Sequence, residues 1–287
     1  MARFQLGIRT LDYISPTTLD DAFDRLSARN VDIIAGGTDF YPTRPQGPLN
    51  SDLLDVTRIA GLRGITQTRN GWRIGATTRW SEVFRADLPA AFAGLQSAAR
   101  EVGSLQIQNA GTIAGNLCNA SPAADGVPPL LTLDAQVEIG STRGIRMVAL
   151  SDFIMGVRKT DLHSDELVTA IVLPEPPAHA HSAFEKLGSR RYLVISITMT
   201  ATVIGLDTDG RIDHARVAVG ACSPVAQRLT ALECDLLGKT LDQVEITEAH
   251  LASLSPIDDV RGSGDYRLDA VAEQCLRAIK QAGGGNG

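Results

Sequence analysis

The chain has 287 residues, of which 44% are hydrophobic and 21% charged, with a formal net charge of -6. This is an ordinary globular composition, enough for one large domain or two to three smaller ones. No basic block points to nucleic acid, no run of about 18 apolar residues spans a membrane, and the opening residues lack an apolar block of signal-peptide length. The expected location is the cytoplasm.

Four cysteines, Cys118, Cys222, Cys234 and Cys275, form no CxxC pair, and their spacing fits neither an iron–sulphur cluster nor a structural zinc site. Buried free thiols are the expectation. The five histidines form no HExxH, and His179 and His181 read as solvated residues of a proline-rich linker. No protein-held metal is expected.

In chain order, Thr17 or Thr18 caps a helix whose first turn holds Asp20 and Asp21. The strand Val31–Ile34 then runs into Ala35-Gly36-Gly37-Thr38, and residues 53–56 make a further short strand. Helix, strand, loop and strand in about 55 residues read as a small α/β unit. Ile65–Thr68, Asn70-Gly71 and residues 72–74 predict a hairpin, feeding a loop of small residues at 75–78. Residues 80–84 and 88–102 read as helical, and a second glycine-spaced loop spans 108–125. Residues 128–133 begin helical, residues 135–139 pair with Gly144–Ala149, and residues 167–173 end at Pro174. After the boundary Pro174-Glu175-Pro176-Pro177 come strands at 183–187, 195–204 and 216–220, with a hairpin turn at 207–210. Helices are expected at 228–236, 244–253 and 268–280, and residues 281–287 form a frayed glycine-rich tail.

Two loops carry the chemistry. Gly36-Gly37 can adopt dihedrals closed to other residues, and successive amides in such a turn form a nest for anionic oxygens. Thr38 adds a hydroxyl, and Asp39 can fix the turn or accept from a ligand hydroxyl. A diphosphate suits this loop; a plain tight turn is the alternative. The loop is not GxGxxG, so the classical Rossmann fingerprint is absent. Gly111-Thr112-Ile113-Ala114-Gly115-Asn116 sets two glycines four apart, and Asn116 and Asn119 offer donors and acceptors. Asp125 has no basic neighbour in sequence; it suits a ribose hydroxyl or a helix cap. Lys186 shares a strand face with Phe184 and either lends charge to an electron-accepting ring or is solvated. Tyr192 either covers a flat ring or packs in a sheet. These residues point to an extended, nucleotide-like ligand without naming it.

Ala35-Gly36-Gly37-Thr38-Asp39, Thr112 to Leu117, and Ser121-Pro122-Ala123-Ala124-Asp125 together resemble the FAD-binding subunit of the molybdenum hydroxylases. This is the family of xanthine dehydrogenase and aerobic carbon monoxide dehydrogenase. Ile74-Gly75-Ala76-Thr77-Thr78 is similar to a third flavin-contacting loop, Glu185-Lys186 through Ser196 to the opening of the C-terminal domain, and Tyr266-Arg267 to the approach to the last helix. The resemblance implies an α+β chain: a two-subdomain FAD-binding fold of the vanillyl-alcohol-oxidase-like type at 1–58 and 59–177, then a C-terminal domain of antiparallel strands and helices at 178–287.

The resemblance also implies the site. Ile34, Ala35, Gly36, Gly37, Thr38, Asp39 and Phe40 would face the diphosphate together with Ala110, Gly111, Thr112, Gly115 and Asn116. Gly75, Ala76 and Thr77 would contact the flavin. Ala124 and Asp125 would lie by the ribose or ribityl chain, Leu167 by a ring, Lys186 by the flavin as a tuning charge, and Tyr192 as a shield. FAD would be this chain's cofactor. A large molybdenum-cofactor subunit would hydroxylate the substrate, and a small subunit with two [2Fe–2S] clusters would relay electrons to the flavin, in a dimer of heterotrimers. The acceptor would be NAD, oxygen or a quinone. The cysteine-rich insert of relatives with a [4Fe–4S] cluster is absent. Residues 40–47 are more aromatic and proline-rich than the carbon monoxide dehydrogenase pattern, so an aldehyde, a purine or an N-heteroaromatic is the expected substrate of the complex. The rival readings are a self-contained flavin oxidase or reductase and a non-enzymatic nucleotide-binding regulator.

Overall fold

The computed structural model describes residues 11–43, 49–191 and 193–284. The chain opens with a three-stranded parallel sheet in which Asp52–Asp55 lies between Tyr13–Ile14 and Val31–Ile34. The helix Leu19–Ala28 connects the outer strands. Its N-cap is Thr18, whose hydroxyl accepts from the Asp21 amide, and its apolar stripe of Ala22, Phe23 and Leu26 is buried.

A five-stranded antiparallel sheet follows, in the order Ile65–Thr68, Gly71–Gly75, Leu167–Pro174, Gln136–Ser141 and Gly144–Ala149. The Asn70-Gly71 hairpin forms as expected, with Thr68 opposite Gly71. Leu167–Pro174 is the central strand, and its almost wholly buried pattern matches its apolar run. The helix expected over 88–102 begins later: Pro89 is extended, a 3₁₀ turn covers Ala90–Phe92, and the α-helix is Ala93–Glu101.

The C-terminal part is a four-stranded antiparallel sheet of Ala180–Leu187, Thr198–Leu206, Ile212–Gly220 and Gln227–Arg228. The helix Gly264–Gly284 packs on it, burying Val271, Cys275, Ala278 and Ile279 in a core shared with Val217 and Val219. Several expected bounds change here: the strands expected at 183–187 and 216–220 begin earlier, at Ala180 and Ile212, and the last helix begins at Gly264. The strand predicted from 195 begins at Thr198, and the helix predicted over 244–253 shrinks to Glu248–Leu251. Residues 281–284 are not a frayed tail but the end of the last helix. Ala282 is buried there, and a Cβ on Gly283 would meet Leu241 Cδ2 at 2.5 Å, so this glycine lets the helix seat closely. Residues 285–287 lie outside the described residues.

Ala180, Val203 and Ala218 of the last sheet join the core that unites the first two sheets, which fixes the C-terminal part against the rest. Among the described residues, no helix is long and apolar enough to cross a membrane. His179 and His181 are exposed, as expected of solvated residues, and His179 meets Asp213 Oδ1 at 2.8 Å on the surface.

Candidate functional site: a cleft between two glycine segments

The parallel sheet delivers residues 35–40 to the mouth of a cleft of about 390 Å³. Gly37 has φ 68, in the left-handed region that favours glycine. Gly36 is required for a different reason. A Cβ there would stand 2.2 Å from the Ala110 carbonyl oxygen and 2.8 Å from Gly111 Cα. The two glycine segments therefore touch backbone to backbone. The Tyr41 amide donates to the Gly37 carbonyl at 3.4 Å and the Thr43 amide to the Asp39 carbonyl at 3.1 Å, which folds the chain back after the glycine pair. Among the described residues, the amides of Gly36, Gly37, Thr38 and Asp39 donate to no backbone or side-chain acceptor. Successive unpaired amides of this kind suit an anionic oxygen.

The second segment departs from the expected loop. It folds as two short helices, Leu105–Ala110 and Ile113–Asn119, with Gly111-Thr112 at the corner. Side-chain caps explain this: Ser104 Oγ accepts from the Ile107 amide at 3.3 Å and Thr112 Oγ1 from the Gly115 amide at 3.2 Å. The helical start is tied to the third loop. The Ile113 amide donates to the Thr78 carbonyl, the Ala114 amide to the Ala76 carbonyl and the Trp80 amide to the Gly111 carbonyl. This leaves the Thr112 amide as the unpaired donor at the corner, among the described residues.

The expected site residues divide accordingly. Ile34, Ala35, Gly36, Gly37, Thr38, Asp39 and Phe40 line the cleft. So do Ala76, Thr77, Gly111, Thr112, Gly115, Asn116 and Leu167. Thr77 has no hydrogen to offer, because its amide and its hydroxyl both donate to the Leu62 carbonyl, at 2.7 and 2.9 Å. Gly75 is outside the lining; a Cβ there would lie 2.5 Å from the Leu62 carbonyl oxygen, so its need is packing. Ala110 borders an adjoining cavity. Tyr192 lies outside the described residues.

Ala124, Asp125 and Lys186 are also outside the lining. Asp125, with no basic neighbour in sequence, was expected to meet a ribose hydroxyl or to cap a helix; in space it has a basic partner. Lys186 Nζ is 2.7 Å from Asp125 Oδ2, and Ser196 Oγ donates to Asp125 Oδ1 at 2.6 Å. Lys186 also donates to the Glu101 carbonyl at 3.2 Å. Burial pushes the Asp125 carboxyl up, against the pull of Lys186 and Ser196. Neither member of the pair is free for a ligand in this arrangement; Glu101, however, is followed directly by Val102, which lines the cleft.

Sequence reasoning missed the apolar wall. Val56, Val102, Ile107, Leu162 and Val168 stand with Leu167 around the cleft. Their residue types are those of any core position, so only the tertiary arrangement marks them. Among the described residues, the lining residue Asn116 carries an orphan: its Oδ1 is buried without a partner, beside Gly126. Asn119 Oδ1, in contrast, is taken by the Arg158 guanidinium. A buried acceptor without a donor is costly unless a ligand completes it. Unpaired amides, an orphan acceptor and an apolar wall fit FAD, which brings anionic oxygens, hydrogen-bond donors and flat rings.

The comparisons agree with this geometry. Residues 4–176 match the family described as "FAD binding domain in molybdopterin dehydrogenase", and residues 182–282 the "CO dehydrogenase flavoprotein C-terminal domain". The xanthine dehydrogenase FAD-binding subunit of Escherichia coli O157:H7 is 32% identical, over 94% of this chain and 95% of its own length. The nicotinate dehydrogenase FAD-subunit of Eubacterium barkeri is 33% identical, over 86% of each. A chain of reconstituted CO dehydrogenase from Oligotropha carboxidovorans superposes with a TM-score of 0.87 at 27% identity, covering 96% of this chain and 98% of that one. Fold, cleft and sequence together place this chain in the family of FAD-binding oxidoreductase subunits of the molybdenum hydroxylases.

Proposed function

We propose that this chain is the electron-outlet subunit of a molybdenum hydroxylase complex. The observation that carries the reading is the contact of Gly36 with the Ala110 carbonyl, which sets two glycine segments side by side at a cleft with unpaired amides and the orphan Asn116 Oδ1. Bound FAD supplies the redox chemistry, taking electrons from [2Fe–2S] clusters of a small partner subunit and passing them to an external acceptor, NAD, oxygen or a quinone. The amides of residues 36–39 and Thr112 hold the diphosphate. Asn116 accepts from the cofactor, and Val102 and Leu167 exclude water from a ring. Lys186 acts through Asp125 and the Glu101 carbonyl, keeping Val102 in place.

The division into FAD-binding subdomains 1–58 and 59–177 and a C-terminal domain 178–287 belongs to the same reading, as does the vanillyl-alcohol-oxidase-like character of the first two. A large partner with the molybdenum cofactor binds the substrate, and the assembly is a dimer of heterotrimers. Relatives named for xanthine and nicotinate favour a purine or an N-heteroaromatic, with an aldehyde as the further class. Native co-purification from the source cells tests this. FAD, molybdenum and iron in one complex with one large and one small partner is the expected result. A yellow chain that emerges alone and oxidises a small molecule unaided overturns it in favour of a self-contained flavoenzyme.

A further inference from the structure

A diphosphate brings about two negative charges, yet among the described residues the cleft lining offers no cation to meet them. Among the described residues Asp39 is the single charged residue of its lining, and it is acidic. Amide donors offset part of this load but carry only partial charges. The cations stand one backbone layer away. A cavity of about 180 Å³ shares Ala35, Gly36, Thr77 and Thr112 with the cleft and is bordered by Arg63 and Arg79. The separating layer is thin because Gly36 has no side chain and abuts the Ala110 carbonyl.

The two arginines are not equivalent. Arg63 Nε donates to both oxygens of Glu82, at 3.0 and 3.1 Å, so its charge is already matched. Arg79 uses Glu82 only through its backbone amide, at 3.0 Å. Its guanidinium pairs with no carboxylate among the described residues. Its backbone sits opposite Thr112 in an isolated antiparallel bridge, beside the unpaired Thr112 amide. The trio of Arg63, Arg79 and Glu82 thus leaves one positive charge unmatched, and it belongs to Arg79.

We propose that Arg79 is the counter-cation of the FAD diphosphate, acting across the glycine wall from the adjoining cavity. This rests on the reading that residues 36–39 hold the diphosphate. The guanidinium supplies the full charge that the described cleft lining lacks, and the Arg79–Thr112 bridge holds its backbone at the corner beside the unpaired Thr112 amide.

The test titrates the full-length apo-chain with FAD and, separately, with riboflavin, which has the ring but no phosphate. Wild type, Arg79→Gln and Arg79→Lys are compared at about 50 and about 300 mM salt, with the melting temperature of each apo form. The expected result is a Kd for FAD raised about tenfold or more in Arg79→Gln, with a weaker salt dependence, most of the affinity kept by Arg79→Lys, and riboflavin binding and apo stability unchanged. An Arg79→Gln affinity within about twofold of wild type overturns the inference, while FAD binding by the wild type leaves the underlying reading standing. Equal losses for FAD and riboflavin with a lowered melting temperature also overturn it, because Arg79 would then be a packing residue. A wild-type chain that takes up no FAD removes both.

Discussion

Lys186 and Asp125, 61 residues apart in sequence, form a buried ion pair at 2.7 Å, with side chains 8% and 9% exposed. Breaking one half of such a pair strands a charge away from water, which costs about 3–5 kcal/mol. Lys186→Ala is therefore expected to lower unfolding stability by that order in denaturant titration, and the double substitution Lys186→Met with Asp125→Leu to recover much of it. A stable Lys186→Ala chain whose bound FAD merely shifts in midpoint potential would show instead that the lysine acts directly on the flavin.

Gly36 has no room for a side chain. Gly36→Val must push Ala110 and Gly111 away, since even a Cβ would lie 2.2 Å from the Ala110 oxygen. Loss of FAD with most of the secondary structure retained is the expected outcome, read as the ratio of visible to ultraviolet absorbance and by circular dichroism. A fully yellow variant would refute the assignment of this loop.

Asn116 offers a way to separate binding from folding. Its Oδ1 is buried without a donor, so Asn116→Ala relieves a cost of about 1–3 kcal/mol in the apo-chain. The apo melting temperature should hold or rise, while FAD affinity falls about tenfold, the effect of one lost hydrogen bond. Equal FAD affinity in the two proteins would mean that the orphan faces something other than the cofactor.

Acid stability has a named contributor next to the cleft wall, at the residue before Leu167. Glu166 is 4% exposed and accepts from Arg146 at 2.9 and 2.7 Å and from the His163 amide at 3.0 Å. The hydrogen bonds from Arg146 lead in pulling its carboxyl down from 4.5 to about 2. A depressed carboxyl stabilises the fold above its unfolded value and loses that contribution as pH falls through its folded value. The window is pH 4.5 to about 2. Glu166→Gln should cost about 2–3 kcal/mol at neutral pH and flatten the acid limb of the stability curve across that window. An acid limb identical to wild type would dismiss this carboxylate as a contributor.

Features that depend on local chemistry could be read directly from the residues. The Asn70-Gly71 turn, the strand ending at Ile34 and the Thr18 cap follow from near neighbours in the chain, as does the need for glycine at position 37. Motif order carried the family assignment, because loops that meet a cofactor keep small residues at set spacings. Local reading failed where two outcomes share one composition. The small residues of 105–119 suit a loop as well as capped helices, and the contacts of Ile113 and Ala114 with Thr78 and Ala76 decide for helix. The tertiary structure alone decided which apolar residues wall the cleft, since Val102 and Leu162 carry no mark that separates them from core positions. It also decided the partners of charged groups. A lone carboxylate at 125 and a lone lysine at 186 become one neutralised pair, and Arg79, unremarkable in sequence, borders the cavity behind Gly36 with no carboxylate partner among the described residues. Charge pairing is set by distance in space, and the fold brings together groups that the chain keeps far apart.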